Sequence, residues 1–136
     1  MKTGNNWGIG VLIITEDNMT LMGKRTDNKL WCTPGGKVEV GETVLEGIIR
    51  ETREESNLKI HNPILFDIEV GAFSNEKVWV TFSFLAKEFS GKEKPQESEM
   101  SELKWMKISD AMKLDLFEPT RMMIDKALKL NLIPKK

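Results

Sequence analysis

The succession of segment types predicts an α/β sandwich. Strand-like stretches fall in pairs, one amphipathic helix separates the first pair from the next, and a second helix closes the chain. No Gly, Ser or Pro run in the 136 residues is long enough to act as a linker, so residues 1–136 are expected to form a single domain around one core. With 40% hydrophobic and 30% charged residues, the composition excludes disordered, collagen-like and mucin-like classes. Twenty basic against 21 acidic residues give a net charge of -1, which lacks the positive field of a dedicated nucleic-acid binder. The longest apolar runs, Ile9 to Ile14 and Val78 to Ala86, are too short to span a bilayer, and the first lacks the cationic leader of a signal peptide. A lone cysteine, Cys32, closes no internal disulfide and fits a reducing compartment, so a cytoplasmic protein with no membrane partner is expected.

Trp7 to Thr15 is rich in β-branched residues, Glu16-Asp17-Asn18 supplies turn chemistry, and Met19 to Met22 follows, which reads as two paired strands. In Trp31-Cys32-Thr33-Pro34-Gly35-Gly36, the proline ends regular structure and the glycines permit unusual backbone angles or close approaches. Taken alone, the two glycines read as a turn. Thr43-Val44-Leu45-Glu46 has the form of a capping box, and Val44, Leu45, Ile48 and Ile49 recur with helical period, so a helix is expected over 43–56 with Asn57 as its left-handed stop. Ile64 to Phe73 and Lys77 to Phe89 are strands joined by a hairpin turn at Ser74-Asn75-Glu76, and Gly91 to Ser101 is a solvated loop. Leu103 to Ile108 makes another strand, with Ser109 or Asp110 capping a short turn. Pro119 opens the last helix, with Met123, Ala127 and Leu130 on one stripe and Asn131 and Pro134 at its end.

Six carboxylates fall between Glu39 and Glu55. At 100° per residue, Val44, Leu45, Ile48, Ile49 and Thr52 cover an arc of roughly 140°, and Glu46, Arg50 and Arg53 lie opposite it. Glu51 and Glu55 instead fall at or within the apolar arc, with Glu54 slightly further round, so three carboxylates are expected to converge beside the core. Their repulsion is relieved if a divalent cation lies between them, and carboxylate oxygens suit Mg²⁺ or Mn²⁺ better than zinc. Gly35-Gly36 adds a bare carbonyl facing the same place.

Gly36, five residues, Glu42, seven residues, then Arg50-Glu51-Thr52-Arg53-Glu54-Glu55-Ser56-Asn57-Leu58, preceded by Trp31-x-x-Pro34-Gly35-Gly36, resembles the signature box of the Nudix hydrolases. Thr52 stands where that family has an aliphatic residue and Asn57 where it has glycine; asparagine is the best substitute for glycine in a left-handed cap. The resemblance implies a Nudix-type α/β/α sandwich with a mixed sheet, and hydrolysis of a nucleoside diphosphate linked to another group, dependent on Mg²⁺ or Mn²⁺. By position in the box it implies that the Gly36 carbonyl, Glu54 and Glu55 ligate metal, that Glu51 is a ligand or general base, that Arg50 orients a glutamate, and that Glu42 braces the loop.

Outside the box, Glu99 lies in a segment similar to one where MutT-like members place a further acidic ligand, with Glu97 and Glu102 as competitors. Arg25 is a candidate phosphate contact. Phe117, before the last helix, is a candidate for stacking on the base, although core packing is the commoner fate of a phenylalanine. His61 is given no role.

Among subgroups, the proline that marks ADP-ribose hydrolases is absent where Gly71, Ala72 and Phe73 stand, and a chain without tyrosine cannot carry the mark of dinucleoside polyphosphate hydrolases. What remains is similar to a MutT-like pyrophosphatase releasing a nucleoside monophosphate and pyrophosphate. The alternatives are a hydrolase of a larger nucleotide conjugate such as a dinucleoside polyphosphate or ADP-ribose, action on a capped RNA end, and a catalytically weak nucleotide-binding module. The partner implied is a nucleotide, with nucleic acid only as a capped RNA end, and the resemblance is compatible with a homodimer.

Overall fold

The structure, a computed structural model, describes residues 6–72 and 78–134, so the turn expected at Ser74-Asn75-Glu76 lies outside the described residues. The elements are β1 (Trp7–Ile13), β2 (Met19–Arg25), β3 (Trp31–Cys32), β4 (Gly35–Lys37), α1 (Val44–Ser56) and β5 (Lys59–His61). They continue with β6 (Ile64–Ala72), β7 (Val78–Ala86), β8 (Glu88–Ser90), β9 (Met100–Lys107), α2 (Ile108–Ala111) and α3 (Glu118–Lys129).

Strand β1 is central because its sequence is apolar on both faces. Ile9, Val11 and Ile13 are buried on one side, and Leu12 is buried on the other. It pairs antiparallel with β4 and parallel with β7, and β7 pairs antiparallel with β6, giving a mixed sheet in the order β4-β1-β7-β6. A second sheet has the order β3-β2-β9, and β5 pairs with β8. The expected pairing of the first two strands is therefore corrected: β1 and β2 belong to different sheets, and the segments meet next to their turn, through the Ile14–Thr20 bridge and the Thr15 N–H to Met19 carbonyl bond of 2.9 Å. Both edges of β1 are already taken by β4 and β7, which leaves β2 to pair with β3 and β9.

Two apolar clusters separate the layers. Ile9, Val11, Ile13, Phe84 and Ala86 of the sheet pack with Ile48 of α1, together with Leu58 and Ile60. Leu12, Ile14 and Leu85 pack with Met123, Ile124 and Ala127 of α3, joined by Met22 and Met106 of the second sheet. Each fully buried aliphatic side chain contributes about 1.5–3 kcal/mol, so these clusters hold α1 and α3 firmly to opposite faces. The stripe expected on α3 is partly corrected: Met123 and Ala127 are buried, but Leu130 follows the helix and is exposed, and Ile124 takes the core position. Asn131 ends the helix in the left-handed conformation with φ of 58°.

Two further expectations change. Neither Ser109 nor Asp110 caps α2, whose N-cap is Lys107 without a side-chain bond. The segment after Gly91 is mostly exposed but pinned to the end of α1, with the Lys94 and Gln96 amides donating to the Ser56 and Glu55 carbonyls at 2.8 and 3.2 Å. Its last residues, from the buried Met100 onward, already belong to β9. Among the described residues no helix is long and apolar enough to cross a membrane.

Candidate active site

The helix that carries the glutamates is fixed at both ends by its own sequence. Glu46 N–H donates to Thr43 Oγ1 at 3.1 Å and Thr43 N–H donates to Glu46 Oε1 at 2.8 Å, completing the capping box. Asn57, with φ of 67°, stops the helix as expected. Between these ends Glu51 and Glu55 stand one turn apart and face β4.

Gly35 and Gly36 are extended strand residues rather than a turn, and what they provide is close approach. A Cβ on Gly36 would overlap the Glu51 carboxylate, and one on Gly35 would overlap the Ile9 carbonyl oxygen. The absence of side chains lets β4 run against α1, where Gly35 N–H donates to Glu55 Oε1 at 2.9 Å.

Burial dominates the electrostatics of this pair. Glu55 is only 5% exposed, and loss of water pushes its carboxyl up to about 8, opposed by the Gly35 N–H and reinforced by the nearby Glu51 and Glu99. Glu51 is also raised, again mainly by burial, with Arg50 pulling it back. Glu42 is held low by its hydrogen bonds from Arg50.

Arg50 departs from the solvent face on which helical periodicity places it. Its guanidinium folds back over the carboxylates: Nε and Nη2 donate to Glu42 at 3.0 and 2.7 Å, and Nη1 donates to Glu54 Oε1 at 3.1 Å. The same Nη1 lies 3.4 Å from Glu51 Oε2, and Nη2 donates to the Lys37 carbonyl at 2.9 Å. Glu42 also accepts the Glu39 amide at 2.8 Å and so braces the loop before α1. Glu54, with its side chain 52% exposed, stands outside the buried pair and is linked to it through Arg50. The expected convergence of three carboxylates thus resolves into two inward glutamates and one at the rim.

Among the described residues no three acidic, histidine or cysteine side chains are gathered closely enough to hold an ion as they stand. The donor set nevertheless fits a hard divalent cation. Glu51 and Glu55 are carboxylates whose charge is disfavoured by burial, Glu54 is near enough to Glu51 for its charge to act on it, and the space beside Gly36 admits no side chain.

The outlying candidates reach the same region from three other segments. Arg25 lies at the end of β2 with its guanidinium 4.5 Å from the centre of the Phe117 ring, so the proposed phosphate and base contacts are stacked on each other. Arg25 is near enough to Glu55 for that carboxylate to act on it, and it lies close to the Cys32 thiol. Glu99 perturbs Glu55, whereas Glu102 sits opposite Lys24 in the β2–β9 ladder. Cys32 is buried and its thiol is pushed up to about 12, chiefly by loss of water, so it is not a nucleophile. His61 lies 2.9 Å from Ser90 Oγ, on the β5–β8 pair, and joins none of these groups.

Sequence reasoning missed two features. Asp27 grips Arg25 through two hydrogen bonds of 3.0 and 2.9 Å, and its signal was the Arg-x-Asp spacing next to the turn-forming Asn28. A cleft between the sheet and α3 is lined by Asp67, Glu69, Thr81 and Ser83 from β6 and β7 and by Pro119, Met122 and Met123. These polar residues share one sheet face, which alternation within the two strands could have shown.

The NUDIX domain model matches residues 4–127. The Nudix hydrolase YvcI of Bacillus subtilis (strain 168) is 33% identical over 109 residues, which cover 76% of this chain and 68% of that protein. An RNA pyrophosphohydrolase of Pelagibacter ubique is 27% identical over 121 residues, 76% of this chain and 77% of its own. Among solved structures, the MutT Nudix hydrolase of Burkholderia pseudomallei has a TM-score of 0.78 at 26% identity, covering 90% of this chain and 98% of that one. The NUDIX domain of Shewanella oneidensis NrtR, solved with ADP ribose, has a TM-score of 0.80 at 17% identity over 94% and 89%, a likeness of fold alone.

Proposed function

Because the chain belongs to the NUDIX family of hydrolases that act on acid anhydrides, we propose that it hydrolyses a nucleoside triphosphate to the monophosphate and pyrophosphate. The observation that carries the reading is Glu55, a buried carboxylate held against Gly35 N–H beside Glu51, whose ionisation is disfavoured by burial despite the nearby Arg25 and would be favoured by a bound cation. Glu54, Glu55 and the Gly36 carbonyl would hold Mg²⁺ or Mn²⁺, with Glu51 and Glu99 completing the oxygen set. When bound, the ion neutralises charge on the diphosphate and lowers the pKa of the attacking water.

The chain's own residues divide the remaining work. Glu51, raised by burial, takes the proton of the water as general base. Arg50 spans Glu42, Glu51 and Glu54 and holds their carboxylates in orientation. Arg25 meets a phosphate oxygen with guanidinium N–H groups, and Phe117 stacks on the base. Two relatives favour a second reading in which the same groups act on a capped RNA end: the RNA pyrophosphohydrolase named above, and an NAD-capped RNA hydrolase of Vibrio atlanticus that is 28% identical over 101 residues, or 73% of this chain and 36% of that protein.

Product analysis tests the proposal. Nucleoside triphosphates with Mg²⁺ should yield monophosphate and pyrophosphate, and excess EDTA should abolish turnover. Inorganic phosphate as the first product rejects the reading, as does full activity in EDTA. Turnover confined to capped RNA transfers the activity to the second substrate.

A further inference from the structure

The turn that follows β2 is built around one carboxylate. The pairing of β2 with β9 slips in register between Lys24 and Arg25, an irregularity that re-aims the side chain leaving the strand. The chain then reverses: Arg25 N–H donates to the Leu30 carbonyl at 2.8 Å and Lys29 N–H donates to the Arg25 carbonyl at 3.1 Å. Inside this turn the Asp27 carboxylate accepts from Asn28 N–H at 2.6 Å and from Arg25 Nε and Nη2 at 3.0 and 2.9 Å.

The bidentate fork fixes the plane of the guanidinium, and the Phe117 ring at 4.5 Å fixes which face is covered. Asp27 binds the Nε–Nη2 edge, and Nη1 has no carboxylate partner among the hydrogen bonds of the described residues, the nearby Cys32 thiol being at most a weak acceptor. Arg25 is also near the buried Cys32 thiol and near enough to Glu55 for that carboxylate to act on it, which places the guanidinium beside the proposed metal-holding glutamates. Asp27 itself is 63% exposed in its side chain. The same turn also anchors the Glu99 segment, because Thr26 N–H donates to the Glu99 carbonyl and Thr26 Oγ1 to the Ser98 carbonyl, both at 3.0 Å.

We propose that Asp27 is a positioning residue for substrate binding: it holds the Arg25 guanidinium over the Phe117 ring with Nη1 left for a phosphate of the substrate. Asp27 does not touch the substrate and acts through Arg25. The inference rests on the reading of Arg25 as a phosphate contact, and the two can fail separately.

The experiment is a kinetic cycle over the full chain, Asp27→Ala, Arg25→Ala and the double variant, with a nucleoside triphosphate and Mg²⁺. Asp27→Ala is expected to raise KM about tenfold and to change kcat less than about twofold, and in the Arg25→Ala background it is expected to add less than about twofold. Asp27→Asn keeps one acceptor and should recover part of the lost affinity. An Arg25→Lys background replaces Arg25→Ala if the latter does not fold, since lysine keeps the charge but cannot complete the fork.

A raised KM in Arg25→Ala with wild-type KM in Asp27→Ala overturns the positioning role and leaves the Arg25 reading intact. An unchanged KM in Arg25→Ala overturns the Arg25 reading and the inference with it. Equal increases from Asp27→Ala in both backgrounds would mean that Asp27 only stabilises the turn. A lower KM in Asp27→Ala would mean that the carboxylate competes with the phosphate. Either of these last results also overturns the proposal.

Discussion

At the scale of single residues, Glu55 links the site to the stability of the fold. Its carboxyl ionises near 8 when folded but near the ordinary 4.5 when unfolded, so between those values the folded state binds more protons. Stability of the metal-free protein therefore falls as pH rises through this window, by up to about 1.4 kcal/mol for each pH unit. Glu55→Gln keeps an oxygen acceptor for Gly35 N–H and has no charge to bury. In EDTA it is expected to melt above wild type at pH 7 to 8 and close to it at pH 4, while turnover in Mg²⁺ falls by orders of magnitude. A melting temperature below wild type at pH 8 would contradict the assignment of Glu55 as a strained carboxylate.

Phe117 poses a complementary question, because it is half-buried beneath Arg25 rather than sealed in the core. Phe117→Ala should raise KM for nucleotides roughly five- to hundredfold through lost stacking. The accompanying destabilisation should fall short of the ~3–5 kcal/mol of a fully buried phenylalanine. A normal KM with a steep fall in melting temperature would remove the stacking role.

At the scale of elements, α1 was the most legible part of the sequence and β4 the least. The capping box, the 3.6-residue period and the Asn57 stop are local signals, and each appears in the structure at the residue that announced it. Thr43→Ala is expected to cost about 0.5–2 kcal/mol and a few degrees of melting temperature, because one first-turn amide loses its acceptor. A thermal melt checks the magnitude, and an unchanged melt would show that packing against Ile9 and Val11 alone sets the helix end. Gly35-Gly36 read as a turn when taken alone, since the contact that requires glycine is with α1 and the neighbouring strand, far from any local pattern. Arg50 was legible through the box but not through periodicity, which places its Cα on the outer face while the long side chain returns across the helix to the carboxylates. Strands β5 and β8 have three residues each, too few for alternation to register.

At the scale of the whole molecule, the two-sheet partition and the contact between Arg25 and Phe117 were illegible because they depend on pairings between distant segments, although both residues were candidates one by one. Trp31 shows this most clearly: its N–H donates to the Asp115 carbonyl at 2.9 Å, and its carbonyl accepts Phe117 N–H at 2.8 Å. These bonds join the start of the fold to its last helix, so they should open only when the domain unfolds as a unit. Native-state hydrogen exchange is expected to give the Trp31 and Phe117 amides opening energies close to that of Val11 N–H, which donates to the Pro34 carbonyl within the core. Exchange faster by orders of magnitude would mean that the α3 end opens on its own.

The link between Trp31 and Phe117 also sets an order of assembly as the chain emerges from the ribosome. Gly35, Gly36, Glu51 and Glu55 belong to one short stretch and are synthesised together, so the proposed metal-holding half has its residues early. Arg25 must wait for Phe117, and β3 for its second partner, until nearly the whole chain has been made. The groups proposed to hold the metal therefore precede those proposed to recognise the nucleotide, and a nascent chain stalled before Phe117 would carry the first without the second.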